Sequence, residues 1–337
     1  MKQVTRGKGG AAGRSLAVLL GVATVLGRSG GCAAVEVTEM EHRGLTNCVE
    51  ITAGQTRVIV APAWAGRVSV LDFGAGNVMF RDAGLDGKTV GPDAGWMLWD
   101  GNATDVVRSD GRSQWPPLWL HPYEMASMGG NHVEMCSDVN ADTGLIASKR
   151  YELSDDGRTV TYTFTVTRQA GGAAEGFTVW ERALMRVGRY AIAPLDRTWG
   201  DGKGWRQREA RPRWVYPQTC LQEVGDTLVM RSGIYEPVGL AVRLRAGWIA
   251  IVEAEGVMLI EFPLEADGSY PHHGGANFMP YLNQESIELE PVSAEFHLEV
   301  GQTASFTQQW RWLAPPANLD LDDPAAVAKW VEGYVGE

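Results

Sequence analysis

Two stretches of the chain gather side chains able to do chemistry. The first runs from about Asp82 to Asp142 and holds Trp96, Trp99, Trp115, Trp119, His121, Tyr123, Glu124, Asn131 and His132. An indole stacks on the apolar face of a pyranose, while carboxylates, amides and imidazoles bind its hydroxyls, so this mixture suits a sugar site. The same tryptophans could instead plug the end of a β-structure. Trp115-Pro116-Pro117 is stiff in either case, because two ring-fixed φ angles lower the entropy lost in placing an aromatic. The second stretch collects His272, His273, Asn277, Tyr281, Asn283, Glu285, Glu288 and Glu290. On a strand, Glu288 and Glu290 share a face. Like charges side by side are unfavourable unless that face is wet or holds a ligand. One of them could act as a general base, or the pair could share a proton; the alternative is a solvated outer face. His272-His273 has no further ligand at a metal-site spacing, so no metal is assigned. Nucleophile elbow, phosphate loop and dinucleotide fingerprint are missing from the sequence, and no cofactor is expected.

The elements that would carry these groups have period two. RVIVAP (57–62) and RVSVLDF (67–73) read as a hairpin, as do Leu145–Leu153 and Thr159–Arg168 across SDDGR. In Thr159–Arg168 the residues Val160, Tyr162, Phe164 and Val166 alternate with Thr, which predicts one core face and one half-wet or covered face. Further strands are expected at 177–186, 227–231, 239–245, 248–253, 257–262, 286–291, 296–300 and 305–313, separated by Gly, Asp and Pro. A single helix is expected at the end, with Asp323 as cap, Pro324 at N1 and Val327, Trp330, Val331 and Tyr334 on one side. Many strands and one helix specify an all-β sandwich or barrel, and the irregular stretch 82–142 is long enough to be functional.

The amino terminus reads as an export signal spanning 1–34. Lys2, Arg6, Lys8 and Arg14 precede the apolar run Leu16 to Gly27, and small residues follow up to Cys32-Ala33-Ala34. The run is too short to span a bilayer stably. Cleavage after Ala34 and lipid attachment at Cys32 are both compatible with it; the second would be the only link to a membrane. Residues 35–46 are expected to be a short linker, 47–315 the β-domain and 316–337 a tail with the helix. Net charge is -11 over 337 residues, and loss of the basic leader leaves the remainder more acidic still. No Lys/Arg block is present, so nucleic-acid binding through counterion release is disfavoured. Cys48, Cys136 and Cys220 match no zinc or redox spacing and are expected as buried free thiols, with at most one disulfide.

Three motifs resemble the galactose-mutarotase-like group that includes aldose 1-epimerases. RVIVAPAWAGRVSVLDFGAGNVMF resembles its opening strands, with Arg67 and Asn77 in matching places; LIASKRYELSDDGRTVTYTFTVTRQ resembles its central hairpin; IELEPVSAEFHLEVGQTASFTQQWRW resembles its carboxyl signature. The resemblance covers most of 47–313 and implies a β-supersandwich with a short C-terminal helix. It implies that Glu290, or alternatively Glu288, takes the proton of an anomeric hydroxyl. It also implies a His acid after the central hairpin, where this chain has Trp180-Glu181 instead, leaving His121 and His132 as the alternative acids. Ring opening needs an acid as well as a base. The expectation is therefore an exported carbohydrate-binding protein of this fold without ordinary epimerase activity. The ligand would contact Arg67, Asn77, Trp96, Trp99, Trp115, Trp119, Trp180, Asn277 and Tyr281. The rivals are a Glu–His epimerase and a structural module of the cell envelope.

Overall fold

The computed structural model describes residues 34–88, 100–111, 117–171, 176–208, 220–232 and 237–335. Residues 1–33 of the stretch expected to be an export signal, together with Trp96, Trp99 and Trp115, lie outside the described residues. Strands dominate, in three antiparallel sheets. A ten-stranded sheet runs in the order Leu221–Val224, Thr227–Met230, Tyr190–Pro194, Trp248–Val252, Val257–Glu261, Thr303–Leu313, Thr159–Arg168, Leu145–Leu153, His132–Cys136, Glu124–Gly129. A seven-stranded sheet runs Trp205–Gln207, Val238–Val242, Tyr281–Leu282, Ser286–Leu289, Gly176–Arg186, Phe296–His297, with Asn102–Arg108 also paired to Gly176–Arg186. Glu36–His42, Leu45–Ala53, Thr56–Ala61 and Arg67–Asp72 form a four-stranded meander.

Side-chain alternation sets the layers. In Thr159–Arg168 the even-numbered Val160, Tyr162, Phe164 and Val166 are buried, and Tyr162 stacks on Tyr151 of the neighbouring strand at 4.7 Å. The Thr face is finished by a hydroxyl ladder to the next strand, Thr163–Thr307, Thr165–Ser305 and Thr167–Thr303, at 2.9–3.1 Å. In Gly176–Arg186 the odd-numbered Phe177, Val179, Ala183 and Met185 enter the core shared with the ten-stranded sheet. The even-numbered Thr178, Trp180, Arg182 and Leu184 must then point the other way. The Pro324–Glu332 helix, capped by Asp323, lays Val327, Ala328 and Val331 over Tyr190, Ile192, Trp248 and Leu259 on the far side of the ten-stranded sheet.

Residues 36–42, read from sequence as linker, form the first strand, paired along its length with Leu45–Ala53. The stretch 82–142 is not one irregular excursion: it carries the strands Asn102–Arg108, Glu124–Gly129 and His132–Cys136 and the short helix Pro117–Leu120. Cys48, Cys136 and Cys220 are free thiols, the first and last buried.

Candidate functional site

The outward face of the seven-stranded sheet is assembled by register. Ala183 opposite Leu289 and Trp180 opposite Val292 fix one alignment, which sets Arg182 across from Glu290. Tyr281 opposite Glu288 and Gly239 opposite Tyr281 continue that row toward Arg208, whose amide donates to the Gly239 carbonyl. Directly opposed residues of an antiparallel pair share a face. Arg208, Tyr281, Glu288, Glu290, Arg182 and Trp180 therefore occupy one surface, although they come from four separate strands or strand ends.

Glu290 is 3% exposed. Its Oε2 accepts from Trp180 Nε1 at 2.7 Å, and Arg208 Nη2 lies 3.6 Å from its Oε1. Gly239 makes the second contact possible: a Cβ there would fall 2.7 Å from Arg208 Nε. Glu288, 2% exposed, has Oε1 buried without a hydrogen-bond partner among the described residues. Burial, and then the Glu290 charge, push the Glu288 carboxyl well above the usual range, against the opposing pull of Arg182 and Arg208. Glu290 acts on Glu288 through its charge and through a side-chain hydrogen bond, and both favour a proton on Glu288. Neither glutamate lies on the solvated outer face that the sequence left open.

Arg182 is clamped. Its guanidinium lies 5.0 Å from the Trp119 ring and 5.3 Å from the Trp180 ring, and its Nη1 is buried with no hydrogen-bond partner among the described residues. Arg67 lies 5.5 Å from the Trp119 ring and donates from Nη1 to the Asp100 carbonyl at 3.1 Å. Burial pushes Arg67 down to about 9, with Asp100 pulling it back up, so it remains a cation at neutral pH. Trp119, 3% exposed, already has guanidinium groups against its ring. It orders cations rather than offering a platform for a pyranose.

Below this face, between the sheets, lies a second polar layer that shapes it. Glu181 accepts from Asn102 Nδ2 at 3.0 Å and from the Thr104 hydroxyl. Lys149 Nζ donates to the Ala65 carbonyl at 2.9 Å, and the Tyr151 hydroxyl donates to the Gly66 carbonyl at 2.9 Å. Ala65 and Gly66 both have positive φ, so the turn that delivers Arg67 is held in a demanding conformation by side chains of the opposite sheet.

Other residues singled out from the sequence fall elsewhere. Asn77 spends its amide on the backbone of its own turn, accepting from Leu71 N and Met79 N and donating to Ser69 O. Asn277 likewise brackets Leu244 N and O. His132 is in the ten-stranded sheet, opposite Glu152 and beside Ser127. His121 follows the short helix, with Nε2 buried and unpartnered among the described residues, and no bond joins it to either glutamate. Arg182 and Arg208 were not picked out from the sequence. Parity within 177–186 places Arg182 beside Trp180 on the same face, so that residue could have been found; Arg208 depends on long-range register and carried no signal.

His272 lies beside Trp180, the residue that donates to Glu290. Its ring lies 5.4 Å from Trp180, and Nε2 pairs with the Thr178 hydroxyl at 2.6 Å. Burial pushes it down from 6.5 to about 4, so the ring is neutral at pH 7. The unfolded chain takes up this proton first as pH falls, so the stability carried by the neutral ring is complete above about 6.5 and is lost toward 4. Tm is expected to drop by a few degrees across that window in the parent. His272→Gln should flatten this part of the profile; identical slopes would place the acid sensitivity elsewhere.

No family model matches the sequence, and no curated protein matches it. Solved structures do. A provisionally assigned aldose 1-epimerase from Escherichia coli K12 superposes with a TM-score of 0.55 at 12% identity, covering 83% of this chain and 100% of that one. A second such protein, from Klebsiella pneumoniae, gives 0.53 at 11%, over 89% and 86%. A galactose mutarotase-like protein from Clostridium acetobutylicum gives 0.51 at 10%, over 84% and 99%. With its paired antiparallel sheets and C-terminal helix, the chain has the galactose-mutarotase-like β-sandwich fold.

Proposed function

We propose that this is an exported carbohydrate-binding protein of mutarotase-like fold that works without the ordinary Glu–His epimerase pair. The observation that carries the reading is the row Arg208–Glu290/Glu288–Arg182: acceptor and donor groups alternating, largely withdrawn from water, on one face of the sheet. Buried polar groups of both kinds on one surface match the vicinal hydroxyls of a saccharide. The names of the structural neighbours, aldose 1-epimerase and galactose mutarotase-like, point to the same ligand class. Export is supported by the basic leader and apolar run before Cys32.

A second reading has one specific observation in its favour. Glu288, whose carboxyl burial raises, stands beside Glu290, and the hydroxyl and ring oxygen of an anomeric centre share one carbon. Titration calorimetry against a panel of monosaccharides, with polarimetry of the same fresh sugars, tests both. Glu290→Gln should weaken the best ligand about 10-fold or more, the equivalent of one charged hydrogen bond. Anomer exchange should proceed at the uncatalysed rate. Absence of binding to every sugar overturns the proposal, and accelerated exchange lost in Glu290→Gln favours the second reading.

A further inference from the structure

We propose that the site selects a singly charged acidic saccharide, a pyranose bearing a carboxylate, and that Arg182 is the group that recognises the carboxylate. The inference rests on the reading of this face as a saccharide site and adds the class of sugar.

Charge balance across the face is the argument. Arg208 is offset by Glu290 at 3.6 Å, with Trp180 Nε1 donating to the same carboxylate. Arg243, farther along the sheet, lies 3.9 Å from Asp196 and donates to the Gly275 carbonyl. Arg206 at the rim lies over the Trp199 ring and donates to the His273 carbonyl. Glu181, next to Arg182 in sequence, points to the opposite side of the sheet and is engaged by Asn102 and Thr104. Glu288 is another carboxyl near Arg182, and no hydrogen bond joins the two among the described residues; Asp105, buried on the same face, stands opposite Trp180 rather than Arg182. Among the described residues, Arg182 has a buried Nη1 with no acceptor and no carboxylate hydrogen-bonded to it. A guanidinium in that state is costly unless an anion completes it.

The shape of the group favours a carboxylate. Indole rings lie 5.0 and 5.3 Å from the Arg182 guanidinium, so its plane is fixed before any ligand arrives. A fixed planar fork matches the two oxygens of a planar carboxylate, and preorganisation reduces the entropy lost on binding. A guanidinium with no carboxylate hydrogen-bonded to it among the described residues suits one negative charge. A phosphate monoester, carrying close to two charges at neutral pH, would bring the remaining charge next to Glu290. A neutral hexose would leave Arg182 without its anion. The arrangement stands out because the chain as a whole carries a net charge of -11, which repels anions at long range.

The test is calorimetry at low and moderate salt with D-galacturonate, D-glucuronate, D-galactose, D-glucose and galactose 6-phosphate. At least one uronate is expected to bind about 10-fold or more tighter than the matching neutral hexose, with the preference shrinking as salt rises. In Arg182→Met, with folding checked by circular dichroism, that ratio should collapse toward one. Arg182→Lys, which keeps the charge but loses the fork, should retain part of it. Equal affinity for uronate and hexose, or tighter binding of the phosphate ester, overturns the assignment while leaving saccharide binding in place. Failure of every sugar to bind overturns the site itself.

Discussion

Lys149→Met is expected to lower the unfolding free energy by about 3–5 kcal/mol, the usual consequence of removing one partner of a buried charge pair. Lys149 is fully buried, and burial pushes its amine down to about 7 while Glu181 pulls it up. Glu181 is equally buried; burial raises its carboxyl, and Lys149 is the largest influence in the other direction. The two attract across the inter-sheet layer without forming a direct contact, each being hydrogen-bonded to something else. Met fills the volume but leaves Glu181 with its main compensating charge gone, and it frees the Ala65 carbonyl as well. Denaturant unfolding measures the loss. The double variant Lys149→Met/Glu181→Gln should recover a good part of it, because a neutral pair needs no compensation. If the double variant is no more stable than Lys149→Met alone, the two groups do not act as a pair.

The inner layer also explains what the sequence could and could not reveal. Thr159–Arg168 is legible because one face is apolar and the other carries hydroxyls, a pattern only a strand half in the core produces. Asn102–Arg108 escaped because both of its faces are buried, and one of them is polar: Asn102 and Thr104 serve the Glu181 network, while Asp105 lies across from Trp180 on the outward side. Tyr190–Pro194 escaped for a related reason, since core and C-terminal helix cover its two sides and no alternation survives.

The carboxyl pair was legible from spacing, because i and i+2 on any strand share a face. Its environment was not. Whether Glu288 and Glu290 meet water or Trp180 depends on which sheet that face belongs to, and this is decided by pairings more than a hundred residues apart in sequence. Aromatic content gave a misleading role to Trp119. Composition suggests a stacking surface, whereas the fold places guanidinium groups against that ring. The missing hairpin histidine was legible as well: Trp180 and Glu181 stand there, one holding Glu290 from the outward side and the other anchoring the layer beneath.

Gly101→Ala is the other substitution expected to be severe, at about 3–5 kcal/mol, or a Tm lowered by roughly 10 °C. Gly101 has φ +63, where a side chain costs about 1–2 kcal/mol on conformation alone. Its Cβ would also fall 2.1 Å from the Val68 carbonyl oxygen, a backbone atom in a paired strand that cannot swing aside. The residues on either side explain why the chain must come so close. Asp100 accepts from Arg43 Nη1 at 2.9 Å and offers its carbonyl to Arg67; Asn102 accepts from Val68 N at 2.7 Å and donates to Glu181. One residue therefore turns the chain from the charge cluster around Arg67 into the inter-sheet layer. Pushing Val68 away to admit a methyl group moves Arg67 with it, and Arg67 lies against the Trp119 ring that also orders Arg182. Gly101→Ala should consequently lose saccharide affinity in whatever fraction still folds, which Gly54→Ala should not, because a Cβ at Gly54 meets nothing within 4 Å although its φ is +60. Thermal unfolding and ligand titration of the two variants separate strain from collision: equal losses in both would reduce the Gly101 effect to backbone conformation alone.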